Sequence, residues 1–122
     1  MNELKCALIT AFVSKTKDRF HEYNEDKTLE QRFEMVSRMA DMTGVECIFP
    51  YETGRDPQAF KALLAKYKLQ PAAINVNVKA EPEFRNGGLT SVDPAIRKQA
   101  VQFIKDAKDF AAAAGANKVT CC

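Results

Sequence analysis

Four apolar runs alternating with three amphipathic segments leave this chain few folds to choose from. The first run, residues 6–13, is nearly continuous in apolar character, as suits a parallel strand covered on both faces. From about Thr28 the spacing changes. Leu29, Phe33, Val36 and Ala40 fall on one helical face, and Gly44 is expected to end that helix. Residues 45–49 read as a second strand stopped by Pro50. Asp56 followed by Pro57 announces a second helix with Phe60, Leu63, Leu64 and Tyr67 facing inward. Residues 72–78 read as a third strand. Asp93 before Pro94 repeats the helix-start device, and Ile96, Ala100, Phe103, Ile104, Ala107, Phe110, Ala111 and Ala114 form a long apolar face up to Gly115. A fourth strand begins near Lys118. Strand–helix alternation of this kind predicts an α/β fold with a parallel sheet and right-handed crossovers.

The fourth run breaks off at Cys122 with no covering element after it. A soluble domain rarely leaves its last core strand uncovered, because the bare edge invites aggregation. The expectation is therefore one partial domain over residues 1–122: about half an α/β barrel, in the order strand–helix–strand–helix–strand–helix–strand, truncated in strand four. At 122 residues the chain suffices for one small domain. A net charge of +2 with lysines spread among acids argues against a nucleic-acid stripe or a membrane-binding patch. The N-terminal apolar run is too short for a membrane span and lacks the features of a secretory signal. Cys6, Cys47, Cys121 and Cys122 show no metal-ligand spacing, so they are read as buried, reduced thiols of a cytoplasmic protein.

The connections are unequal. Helix-to-strand links are short, whereas residues 14–27 and 79–92 form long strand-to-helix loops, read as lacking structure of their own. In a parallel α/β fold these loops gather at the carboxyl ends of the strands, where ligands bind. That face is expected to carry His21, Tyr51, Glu52, Glu81, Glu83 and Arg85.

Along the third strand, Ile74, Val76 and Val78 alternate with Asn75, Asn77 and Lys79. Two amides and an ammonium buried without partners would each cost about 1–3 kcal/mol. Pointing into a barrel near its mouth, they could instead hold a hydroxylated ligand. A structural hydrogen-bond layer is the alternative. Glu46 faces away from the helix side and needs a partner, either Lys79 or a hydroxyl on a neighbouring strand. His21, the sole histidine, lies in the first long loop, where simple exposure competes with a substrate contact. Glu81 and Arg85 sit in a charged loop where salt-bridged loop structure competes with ligand support. No glycine-rich phosphate cradle or nucleophile elbow is present.

Several segments resemble one family. Gly44-Val45-Glu46 looks like the second-strand opening of the xylose isomerase-like TIM barrels, the sugar isomerase and epimerase superfamily, and Ala73-Ile74-Asn75-Val76 resembles their third strand. Residues 89–97 are similar to the segment that introduces their third helix, and residues 112–119 to the lead into their fourth strand. The resemblance covers the whole chain but only the first half of that fold. It implies a sugar or sugar phosphate substrate and a divalent cation, manganese or magnesium, held by residues of later strands. It also implies proton transfer next to a sugar carbonyl through an enediolate. No metal ligand can be placed in this chain, so the isolated half is expected to be inactive. His21, Glu52, Asn75, Asn77 and Lys79 remain as substrate-binding candidates, with Glu46, Glu81 and Arg85 as structural or substrate support. The implied partners are a small sugar and either the missing C-terminal half or further copies of this chain. The rival expectations are a half-barrel that dimerises as a non-catalytic binding or scaffold module, and a flavodoxin-like open sheet.

Overall fold

The structure, a computed structural model, describes residues 4–17, 22–78 and 81–121. Strands β1 (Cys6–Ile9), β4 (Met42–Phe49), β5 (Gln70–Val76) and β6 (Val119–Cys121) form one all-parallel sheet in the order β1-β4-β5-β6, curled into a half-barrel. A short antiparallel pair, β2 (Thr16–Lys17) and β3 (Glu22–Tyr23), lies within the loop that follows β1. Among the described residues there are three α-helices: α1 (Leu29–Ser37), α2 (Pro57–Lys66) and α3 (Pro94–Ala114).

All three helices cover the same face of the sheet. Along β4 the odd positions Val45, Cys47 and Phe49 are buried, while Glu46 and Ile48 on the opposite side are half-buried. The same alternation in β5 sends Ile74 and Val76 into the core. A chain of aromatic rings ties the helices to this side. Phe33 of α1 meets Phe60 of α2 edge-on at 6.0 Å, and Phe60 meets Phe110 of α3 at 5.6 Å. Phe110 lies 5.1 Å from Phe49 of β4, which also contacts Phe103 at 6.1 Å, and Phe103 reaches Phe84 at 6.4 Å. Each ring pair adds about 0.5–1.5 kcal/mol beyond the area it buries.

The helix starts follow the sequence. The carboxylates of Asp56 and Asp93 accept backbone N–H bonds at the starts of α2 and α3, each with proline at the first helical position. Thr28 and Gln31 close a reciprocal capping box on α1. Gly115 ends α3 in the left-handed region at φ 85°.

Elsewhere the boundaries move, for identifiable reasons. β1 stops at Ile9 and residues 10–13 tighten into a 3₁₀ turn, because the Thr10 hydroxyl is drawn into contacts with β4 and Glu52. α1 stops at Ser37 rather than at Gly44, and Asp41 turns the chain at φ 65°. Gly44 instead lies inside β4, which is longer than expected. A Cβ on Gly44 would sit 3.1 Å from the Gln70 carbonyl oxygen and 3.3 Å from the Ala7 Cβ. The glycine thus serves close strand approach rather than helix termination. Gly44→Ala is expected to destabilise the fold by about 1–3 kcal/mol through this overpacking, read as a lower urea midpoint. β5 begins at Gln70 and ends at Val76, so Asn77 and Val78 lie just past the ladder. The loop over residues 14–27 has structure of its own: Ser14 Oγ accepts the Lys27 N–H at 2.9 Å and closes the base of the β2–β3 pair.

Candidate functional site

The face of the sheet opposite the helices carries a hydrogen-bonded polar row contributed by three strands. Asn75 of β5 lies directly across from Thr120 of β6, and Glu46 of β4 lies across from Ala73 of β5. That register lets three side chains converge. The Thr120 hydroxyl donates to Glu46 Oε1 at 2.7 Å, and the Asn75 amide donates to the same oxygen at 3.0 Å. Asn75 Nδ2 also lies 3.1 Å from Thr120 Oγ1. Asn75 is buried, whereas Glu46 and Thr120 are half-buried. Charge-assisted bonds of this kind are about twice as strong as neutral ones, so they fix the carboxylate in one orientation. A carboxylate held this way can accept hydrogen bonds from ligand hydroxyls.

A second cluster sits where β4 leaves the sheet. Glu52 Oε2 accepts the Ile48 N–H at 2.7 Å and lies 2.9 Å from the Thr10 hydroxyl. Glu52 Oε1 pairs with the Arg32 guanidinium of α1. Arg32 also donates from Nε to the Lys27 carbonyl at 2.9 Å and lies 3.6 Å from Asp26. Thr10 has one proton to give, and its nearest acceptor is Glu52. The Glu46 carbonyl at 3.2 Å and Cys47 Sγ at 3.4 Å surround the same hydroxyl. Side-chain exposure of 14% for Arg32 and 7% for Glu52 marks a nearly dry ion pair that staples α1 and the turn after β4 to the end of β1.

Cys47 points to the helix side of β4, and burial pushes its thiol up to about 12. It is neutral and inaccessible in the native state. Iodoacetamide at pH 8 is therefore expected to label Cys121 while sparing Cys47 until denaturant is added, as mapped by peptide mass. Cys121 is exposed and Cys6 half-buried, which corrects the expectation that these thiols are buried. β6 is the outer strand of the sheet and leaves Cys121 uncovered.

Of the residues singled out from the sequence, the structure brings Glu46 and Asn75 together, and the hydroxyl that Glu46 finds is Thr120 of β6, on the far side of β5 rather than on an adjacent strand. Asn77 is half-buried just beyond β5. Glu52 stands at the carboxyl end of the sheet with both oxygens engaged by the chain itself. Glu81 accepts a hydrogen bond from the Tyr51 hydroxyl. It also lines a cleft of about 260 Å³ with Arg55, Glu83 and Asp106, apart from the polar row. Arg85 is exposed at the end of a short 3₁₀ turn (Pro82–Phe84). His21 and Lys79 lie outside the described residues. Sequence reasoning missed Thr120, although it alternates with Val119 and Cys121 as Asn75 does with Ile74 and Val76. It also missed Arg32, whose partner is 20 residues away.

Among the described residues no three His, Cys, Asp or Glu side chains are grouped to hold a metal ion. The donor set for the implied divalent cation is therefore not found in them. No helix among the described residues is long and apolar enough to cross a membrane. No protein-family model matches the sequence, and no curated protein is significantly similar to it.

Proposed function

We propose that this chain is the N-terminal half of a xylose isomerase-like TIM barrel that isomerises or epimerises a sugar or sugar phosphate in the cytoplasm. The observation that carries this reading is the Glu46–Asn75–Thr120 row on the helix-free face of a curled parallel sheet. In a barrel that face is the interior, where polar groups near the mouth meet a polyhydroxylated ligand. The role of this half is to bind and orient: Glu46 accepts ligand hydroxyls, while Asn75 and Thr120 hold its carboxylate in place. Any divalent cation and the proton-transferring groups belong to the remainder of the enzyme. The free thiols among the described cysteines suit a reducing compartment.

Amide NMR of the labelled chain, titrated with aldoses, ketoses and their phosphates, tests the reading. Shifts are expected at Glu46, Asn75, Asn77 and Thr120, and Asn75→Ala should abolish them without altering the helical circular dichroism. A panel that moves none of these amides would sink the sugar assignment. Turnover by the pure chain with added manganese would overturn the division of labour between the halves.

A further inference from the structure

The Glu46–Asn75–Thr120 row uses its own protons internally. Asn75 Nδ2 carries two N–H protons; one reaches Glu46 Oε1 at 3.0 Å and the other Thr120 Oγ1 at 3.1 Å. The single O–H of Thr120 goes to the same Glu46 oxygen at 2.7 Å. Turning the amide round would set its carbonyl oxygen against the carboxylate, so the direction of these bonds is fixed. Backbone N–H groups of strands lie in the plane of the sheet and do not point out of its face. The Ile48 N–H, where β4 leaves the sheet, is already held by Glu52 at 2.7 Å.

What the row offers a ligand is therefore lone pairs. Among the described residues Glu46 Oε2 accepts no hydrogen bond and Glu46 joins no ion pair. The Thr120 oxygen, which accepts once from Asn75, keeps a second acceptor site. We propose that the row is a donor-selective subsite: it takes hydroxyl groups from an uncharged stretch of the sugar and rejects phosphate. A phosphorylated substrate would lie with its phosphate away from Glu46. The proposal rests on the sugar-binding reading above and deepens it by naming which part of the substrate this half holds.

The surroundings of the row fit the same ligand. Ile9 of β1 is level with Glu46, Ala73 lies across from Glu46 on β5, and Ile48 is level with Asn75. Leu8 packs against the helix-side core, so its neighbour Ile9 falls on the helix-free face, as do Ile48 and Ala73. A sugar matches both parts of this surface: its hydroxyls donate to Glu46 and Thr120, and its C–H edges lie against Ile9 and Ile48. A phosphate brings only acceptors, so each contact sets lone pair against lone pair, and its charge meets that of Glu46. An ammonium would suit the charge of Glu46, but the isoleucines would strip its hydration and leave donors unpaired.

Amide NMR of the labelled chain, titrated with fructose, its monophosphates, glucosamine and inorganic phosphate at constant ionic strength, tests this. Fructose is expected to shift Glu46, Asn75 and Thr120 saturably, and inorganic phosphate to leave them in place. Either fructose monophosphate should bind no more tightly than fructose. Glu46→Gln keeps the size of the side chain but turns an N–H outward in place of Oε2. It should weaken fructose by about tenfold and let inorganic phosphate shift Asn75. Thr120→Val, on the outer strand, frees an Asn75 N–H and should admit phosphate in the same way, so the test survives if Glu46→Gln does not fold. Inorganic phosphate that shifts the row of the unmodified chain, or a monophosphate that binds there more tightly than fructose, would overturn the proposal and leave sugar binding standing. Glucosamine binding there more than about tenfold tighter than fructose would overturn it in favour of an ammonium ligand. If no sugar moves the row but phosphate does so only in the two variants, donor selectivity stands and the sugar reading falls.

Discussion

Glu52→Ala is expected to lower the free energy of unfolding by about 3–5 kcal/mol, the range for removing one member of a buried ion pair. The loss has three sources in this molecule. Arg32 keeps its charge in a site where its side chain is only 14% exposed. The Ile48 N–H and the Thr10 hydroxyl lose their shared acceptor at the point where β1 turns into its 3₁₀ segment. The connection between α1 and the end of β4 is cut. Urea unfolding should show a lower midpoint with an unchanged slope. The double variant R32M/E52L, which removes both charges together, should recover part of the loss. If Glu52→Ala proved neutral, the pair would be an ornament of the carboxyl-end loops and Glu52 would return as a ligand candidate.

Phe110→Ala should do comparable damage by a different route. Phe110 is the ring through which α2, α3 and β4 meet, with Phe60 at 5.6 Å and Phe49 at 5.1 Å. Truncating a buried phenylalanine costs about 3–5 kcal/mol through lost transfer energy and the cavity left behind. Small domains hold only about 5–15 kcal/mol in total, so the variant should melt many degrees lower. Phe110→Leu keeps much of the volume and should lose markedly less. Equal losses for the two would place the value of this position in its ring contacts rather than in its volume.

Local chemistry was legible in the sequence wherever it is decided within one turn of chain. Asp56-Pro57, Asp93-Pro94 and Gly115 each act through backbone atoms two to four residues away, so their reading needs no knowledge of the fold. Gly44 was misread because its reason is non-local: the atom that would clash belongs to Gln70, on another strand. The turn at Thr10 was missed on the same ground, since nothing in an apolar run signals a hydroxyl claimed by a carboxylate 42 residues on. The polar row was half legible. Alternation exposed Asn75 and Glu46, but their convergence with Thr120 spans 74 residues and depends on the order in which the strands lie.

The alternation along β4 and β5 also divides the molecule's burdens. Val45, Cys47, Phe49, Ile74 and Val76 answer to the helices, and a change at any of them is a change to packing. Glu46, Asn75 and Thr120 answer to whatever occupies the other side. Cohesion and recognition are thus written in alternate letters of the same strands. A lineage carrying this sheet could exchange its ligand by altering the positions on the helix-free face, leaving those on the helix side to keep the fold.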